Sequence, residues 1–489
     1  MIENRQISPA IFWSTLEILS TRGIGFLISI VLARLILPEE FGLIAMLMLF
    51  TAVASLFVEG GFSSALIQRQ DHNYTDECTV FWFNLFAGAV AALILILIAP
   101  WIASFYERPI LKLLTILMAF NLWLSAFLTV PTALLAKKLE FQTLMKVNVS
   151  AVFISGALAI YLALSGWGVW AIAIQTLSST LVGGLVLWSL SNWRPSLRFS
   201  WKSFGKLFNF GGYVLLASLI DRISTRFYTL IIGKSYGALE LGYFHRATST
   251  KDLPQGVLSG IFSRVAFPVF SSQSGDIVQL KRSLRIALIT TMAVNLPVMA
   301  GLMMTADELV LIMFGPRWEA VIPILKVLCG LGAFWPLHVA NVNVLMAMGH
   351  SRLMLKIEII KKTLFIAAII LSSQISVIAI AWGMFALGLL GVFINTWYSK
   401  KFLSYGTWDQ LQDLKPYLFV TFGMILAIAI VQYVIASILK SDAMILIFLA
   451  KFMTGVMVYG ALTYLFKLGV LKYFREFIQQ FKNDSIPLN

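Results

Sequence analysis

GGYVLLASLIDRISTRFYTLIIGKSYG (Gly211–Gly237) is the stretch whose reading decides the fold. It is apolar and longer than the roughly 20 residues a helix needs to span a bilayer, yet near its middle stand Asp221, Arg222 and Arg226. The stretch after it, ELGYFHRATSTKDLPQGVLSGIFSRVAFPVF (Glu240–Phe270), puts His245, Arg246, Lys251, Asp252 and Arg264 within one helix length. A charge at the bilayer centre costs about 2.5–3.5 kcal/mol on insertion scales. Arg222 and Arg226 together then cost roughly 5–7 kcal/mol, a large part of an ordinary folding stability. Groups that expensive face a wet cavity or a partner, not lipid. The segment predicts a cationic, water-filled chamber inside a helical bundle.

Outward from this segment the chain is apolar throughout. Of its 489 residues 59% are hydrophobic and 12% charged, against about 25% charged in soluble domains. Apolar runs of about 20 residues or more recur from end to end, where membrane barrels show short alternating segments. The expected class is an all-α, polytopic membrane protein. Its net charge of +14 fits topology setting and contact with anionic lipids, and no nucleic-acid partner is expected. Cys78 falls in an expected cytosolic loop and Cys329 in a helix, so no disulfide is expected. The polar N-terminus MIENRQISPA precedes a run too long for a signal peptide's apolar core and reads as retained. The sequence shows no P-loop lysine, zinc-ligand spacing or nucleophile elbow, and four scattered histidines make no metal cluster. No metal, cofactor or catalytic residue is expected.

Hydropathy gives about fourteen helices, roughly 9–36, 41–66, 79–104, 109–136, 143–165, 168–191, 206–234, 241–269, 283–306, 319–348, 352–373, 375–399, 416–438 and 443–466. With a cytosolic N-terminus, the inner segments collect most of the lysines and arginines, among them Lys137, Lys138, Arg194, Arg198, Lys281, Arg282, Lys400 and Lys401. The outer turns hold fewer cations and the acidic pairs Glu39-Glu40 and Asp307-Glu308. That asymmetry puts both termini in the cytosol. The segments Ser191–Lys206 and Lys400–Pro416 read as joints between lobes. Beyond Lys467, apolar residues at helical spacing read either as a helix on the inner leaflet or as a tail packed on the bundle. Trp167, Trp170, Trp188 and Trp193 read as interfacial anchors.

Sliding the chain by 200 residues superposes polar landmarks without gaps: Arg22 on Arg222, Arg34 on Lys234, Glu40 on Glu240, Gly42 on Gly242, and Gly60, Phe62 and Ser63 on Gly260, Phe262 and Ser263. An even number of helices separates the copies, so both cross in the same direction, as in transporters built from parallel repeats. The expected layout is an N-lobe at 1–203 and a C-lobe at 204–403, six helices each. Residues 404–489 then add two helices and the amphipathic cytosolic tail. Arg22 and Arg222 are expected to approach each other from opposite lobes.

Several motifs resemble one family. LARLILPEEFGLIAM (Leu32–Met46), VEGGFSSALIQRQD (Val58–Asp71), GALELGYFHRA (Gly237–Ala247), SRVAFPVFS (Ser263–Ser271) and MFGPRWEAVIPILKVLC (Met313–Cys329) occur in the order seen in Wzx-type polysaccharide exporters. These form a branch of the multidrug/oligosaccharidyl-lipid/polysaccharide (MOP) flippase superfamily, and among its members the chain resembles the colanic and teichuronic acid exporters. The resemblance runs through the first twelve helices and weakens over the last two. It implies two six-helix lobes in a MATE-like V around a cationic cavity. The implied activity moves an undecaprenyl-diphosphate-linked oligosaccharide from the inner to the outer leaflet of a bacterial inner membrane, with membrane lipids, a polysaccharide polymerase and assembly proteins as partners.

On that reading Arg22, Arg222 and Arg226 cradle the diphosphate, because a guanidinium fork matches phosphate oxygens, and Arg246, Lys251 and Arg264 line the path. The same charges also read as interhelical glue, with Asp221 paired to an arginine; so many cations without acids in one lobe favour the cradle. Glu59 is the candidate coupling or gating carboxylate, and Glu17 and Glu358 are further costly positions, the latter within reach of Lys361. His338 reads as a packed or pore-lining residue. Pro131, Pro254 and Pro297 are candidate bending points. The competing readings are a multidrug/cation antiporter, which calls for an acidic cavity, a lipid II flippase, and a membrane polysaccharide polymerase, which calls for a large outer loop.

Overall fold

The computed structural model describes residues 4–59, 73–438 and 444–469. They form helices joined by turns and short loops, with no strand among the described residues. In chain order the helices are α1 (Asn4–Leu35), α2 (Pro38–Glu59), α3 (Tyr74–Phe105), α4 (Ile110–Lys137), α5 (Phe141–Leu164), α6 (Val169–Leu190) and α7 (Trp201–Ser272). There follow α8 (Ile277–Met304), α9 (Ala306–Met313), α10 (Val321–Ala333), α11 (Trp335–Ala347), α12 (Ser351–Ser372), α13 (Val377–Leu403), α14 (Thr407–Ile438) and α15 (Met444–Leu465). Eleven spans among the described residues are long and apolar enough to cross a membrane. The chain is an all-helical, multi-pass membrane protein. α7 and α12, which carry Arg222, Arg246 and Lys361, are not among the eleven.

α7 is continuous except at Gly237, whose φ of 87° breaks it into arms at 201–236 and 238–272. Positive φ is the region where glycine meets no Cβ penalty. Two compact units divide the chain at residues 1–245 and 246–489, so residues 204–245 cluster with the helices before them.

In the first unit α1 packs on α5 and α6 through Ile28, Leu32, Ile36, Ala159, Leu162 and Ala171. α2, α3 and α4 meet through Ala54, Val58, Ala91, Ala92, Leu95, Ala119, Leu122 and Ala126. Five of those eight residues are alanine, as expected where lipid offers no hydrophobic drive and helices gain only by approaching closely. Two glycines take this further. A Cβ on Gly42 would lie 1.7 Å from the Ala238 carbonyl oxygen, and one on Gly242 would lie 2.1 Å from that of Pro38. Pro38 and Ala238, like Gly42 and Gly242, stand 200 residues apart. The contact is therefore reciprocal, the start of α2 against the start of the second arm of α7.

The segment 191–200 is pinned to the start of α3. Trp193 Nε1 donates to Glu77 Oε2 (2.7 Å), Trp82 Nε1 to the Ser196 carbonyl (2.8 Å) and Tyr74 Oη to that of Arg194 (2.7 Å). Trp188 and Trp193 pack edge-on against buried Phe81 rather than serving as isolated anchors. Cys78 lies buried inside α3, not in a loop, and Cys329 is buried in α10; both are free thiols.

In the second unit α8 forms the spine, with Leu284, Ala287, Met292 and Leu296 packed among Phe262, Phe270, Leu337 and Tyr405. The apolar run expected as one helix at 319–348 is broken at Phe334 into α10 and α11. The cause is Pro336: it has no N–H for the Gly332 carbonyl four residues back. Side chains supply the missing donors. Asn295 Nδ2 reaches the Gly332 and Ala333 carbonyls at 3.0 Å each, and Gln255 Nε2 reaches Gly332 at 3.3 Å. The expected amphipathic tail beyond Lys467 lies almost wholly outside the described residues.

Candidate functional site

In the first unit Arg22 is exposed on α1, while Arg222 is exposed and Arg226 half-buried on the first arm of α7. Arg222 and Arg226 are one helical turn apart and share a face. Neither Arg22 nor Arg222 makes an ion pair or side-chain hydrogen bond among the described residues. The Arg226 Nη1 approaches Met48 Sδ of α2 at 3.9 Å, a weak acceptor for a full charge. Asp221 is exposed, and its backbone carbonyl accepts from Thr225 Oγ1 at 2.8 Å. The cations near the turns differ. Arg108 pairs with Glu39 and Lys234 with Glu107, each at 2.8 Å. The hydrogen bond from Lys234, and then its charge, holds the Glu107 carboxyl below its ordinary range. Glu17 is held by Asn148 Nδ2 at 2.7 Å.

In the second unit the two described path cations have local partners. Arg246 is 5% exposed, and its guanidinium lies between the rings of Phe314 (4.9 Å) and Trp318 (5.0 Å). Such a desolvated cation–π contact contributes about 2 kcal/mol or more and ties the second arm of α7 to the turn after α9. Lys251 Nζ pairs with Asp252 Oδ1 at 2.8 Å. The side chains of Arg264 and Glu59 lie outside the described residues.

Among the described residues of the first unit, two cavities stand out. One, of about 630 Å³, lies between α2, α3 and the first arm of α7, with walls that include Phe50, Phe57, Phe86, Val90, Ile223 and Phe227; every residue lining it is apolar. The other, of about 320 Å³, is lined in part by Thr21, Thr132, Asn148, Ser179 and Thr180, a mixture of hydroxyl and amide groups. The first matters for the arginines, because Arg222 and Arg226 each immediately precede one of its lining residues.

Sequence reasoning missed two buried polar assemblies. Lys451, fully buried in α15, pairs with Glu308 of α9 at 2.6 Å. Its signal was present as the one charge within MILIFLAKFMTGVMVYGALTYL, a position that insertion scales mark as costly. The second is a chain across three helices: His338 Nδ1 lies 2.9 Å from Asn395 Nδ2, and Asn395 Oδ1 accepts from Lys361 Nζ at 3.1 Å. Lys361 is also paired with Glu358, as their spacing suggested. His338 is thus a packed residue with a defined partner.

Residues 31–323 match the family described as "Polysaccharide biosynthesis protein". Over 375 residues the chain is 27% identical to the lipopolysaccharide biosynthesis protein WzxC of Escherichia coli (strain K12), covering 74% of each. It is 26% identical over 375 residues to the teichuronic acid biosynthesis protein TuaB of Bacillus subtilis (strain 168), covering 75% of this chain and 77% of that one. In fold it resembles the lipid II flippase MurJ in an inward closed conformation, with a TM-score of 0.74 at 16% identity over 94% of this chain and 100% of that one. The match that begins near the end of α1 closes in α10, taking in α7 with all its charges and more than half the chain, and by that measure the protein belongs to the polysaccharide biosynthesis protein family.

Proposed function

We propose that this protein is a lipid-linked oligosaccharide flippase. It carries undecaprenyl-diphosphate-linked repeat units from the cytosolic to the outer leaflet of a bacterial inner membrane, by alternating access and without covalent chemistry. Family membership and relatives named for lipopolysaccharide and teichuronic acid biosynthesis support a saccharide cargo. In this reading both arms of α7 and α12 cross the membrane with the eleven apolar spans, giving fourteen crossings with both termini cytosolic. Two six-helix lobes then carry the site, followed by two further helices. A polymerase and assembly proteins consume the flipped units.

Arg222 carries the reading. It is a permanently charged group, far from either end of a bilayer-length arm, exposed and without an acid among the described residues. A guanidinium so placed costs several kcal/mol unless it meets water or an anion, and a lipid diphosphate is the anion this family's chemistry supplies. Arg22 and Arg226 complete the cradle; Arg246, Lys251 and Arg264 hold or line the path, and Glu59 and Asp221 gate or couple it. The test is Arg222→Ala and Arg22→Ala in cells that depend on this protein for surface polysaccharide. The expected result is loss of polymer with lipid-linked repeats retained on the cytosolic side. Normal polymer at normal protein level in both variants overturns the cradle.

A further inference from the structure

We propose that the apolar cavity between α2, α3 and the first arm of α7 seats the isoprenoid chain of a polyprenyl diphosphate while its headgroup is carried past Arg222 and Arg226. The inference rests on the flippase reading and goes beyond it by assigning a place to the hydrocarbon tail.

The first support is the wall. No side chain lining the cavity is polar, so only hydrocarbon sits there without leaving a polar group unpaired. Its volume of about 630 Å³ lies within the roughly 300–1,000 Å³ of small-molecule sites. Phe57 and Phe86 are 42% and 68% exposed, so one side is open and a long chain can extend beyond the groove.

The second support is charge at its edge. Ile223 and Phe227 line the cavity, and the residues just before them are Arg222 and Arg226. On the facing wall Leu49 lines it, and the residue just before that is Met48, the contact of Arg226 Nη1. Hydrocarbon surface and cationic groups thus adjoin on the same two helices.

Depth chooses the occupant. Arg222 and Arg226 precede the break at Gly237 by 15 and 11 residues, which at 1.5 Å per residue is about 16–23 Å along the arm. The hydrocarbon core is about 30 Å thick, so on the reading that this arm crosses it with Gly237 near one surface, these guanidinium groups stand well inside it. A resident phospholipid keeps its phosphate at the bilayer surface, and its acyl chain in the groove leaves both arginines facing nothing. A lipid in transit brings its diphosphate to that depth, with the chain beside it.

The test uses the purified full-length protein in nanodiscs of phosphatidylethanolamine and phosphatidylglycerol. The probe is a polyprenyl diphosphate carrying a diazirine in its isoprenoid chain, and labelled peptides are mapped by mass spectrometry. Label is expected on α2, α3 and the first arm of α7, displaced by unlabelled polyprenyl diphosphate and not by excess phosphatidylglycerol. Ala87→Trp and Val90→Trp fill the groove and are expected to lose that label. Phe86→Ser, which adds a hydroxyl and no bulk, is expected to weaken it in a protein that elutes and melts as the parent does. Equal displacement by phosphatidylglycerol, or label elsewhere that these substitutions leave unchanged, overturns the proposal. An export assay separates the two readings. If folded groove variants export normally while Arg222→Ala blocks export, the groove falls and the flippase stands. If Arg222→Ala and Arg22→Ala also export normally and no part of the protein takes the label, both fall.

Discussion

At the scale of single residues, the buried and the exposed cations do different work. Arg222 is exposed and has no acid among the described residues, so on the proposed cradle reading its contribution belongs to binding rather than folding. A charge-assisted hydrogen bond contributes about 1.5–3 kcal/mol, and Arg222→Ala is expected to lower the initial rate of flipping in proteoliposomes roughly tenfold to hundredfold. Arg222→Lys keeps the charge and loses the planar fork, and is expected to fall between the two. Melting temperatures of both variants should match the parent. Lys451 is the opposite case, since its ammonium is wholly enclosed and bonded to Glu308. Lys451→Met leaves a carboxylate buried without its partner and should cost about 3–5 kcal/mol in denaturant unfolding in detergent. Adding Glu308→Leu removes the stranded charge and should restore most of that loss. Residue type alone distinguished neither case: both read as a cation in an apolar run. Only the position of Glu308, 143 residues from Lys451, decides which one is structural.

At the scale of elements, hydropathy located the long apolar helices but not the places where they break. The run from Glu319 to Met348 is apolar enough to pass for one helix, and an average of transfer energies contains no entry for an N–H that Pro336 lacks. The interruption, and the amides of Asn295 and Gln255 that close it, follow from backbone hydrogen bonding. Asn295→Ala takes the side-chain donor from the Ala333 carbonyl and leaves Gly332 with Gln255, and should cost about 1–3 kcal/mol. With Pro336→Ala the N–H of residue 336 returns to Gly332, so the same change should then cost less. A double-mutant cycle of unfolding free energies measures that coupling. The anchoring of segment 191–200 was hidden for a related reason: its turn-forming composition says nothing of its carbonyls serving as acceptors for Trp82 and Tyr74. The aromatic enclosure of Arg246 was likewise hidden, because Phe314 and Trp318 sit some seventy residues downstream.

At the scale of the whole molecule, the class of fold was legible because the bilayer imposes it: a chain with 59% hydrophobic residues in long runs has few structures available. Polar landmarks recur in the sequence at an offset of 200. That Gly42 and Gly242 face each other's copies was not legible there, since an offset says which positions correspond and not which ones touch. Gly42→Val and Gly242→Val each drive a side chain into backbone, at Ala238 and Pro38 respectively. The two variants are expected to lose stability and export to a similar degree, measured by melting and by surface polymer, whereas Gly205→Val, where a Cβ meets open space, should leave both close to the parent. The apolar groove was beyond sequence reasoning altogether, because the wall that closes it against α2 and α3 comes from α7, more than a hundred residues further along the chain.

The bond between Lys451 and Glu308 has a consequence for biosynthesis. Translation delivers Glu308 to the membrane 143 residues before its counter-ion is made. Until α15 is inserted, the nascent protein holds a carboxylate with no neutralising partner where it will finally be enclosed. A chain that stalls or is cut before that helix thus lacks the ammonium that Glu308 is bonded to in the full protein.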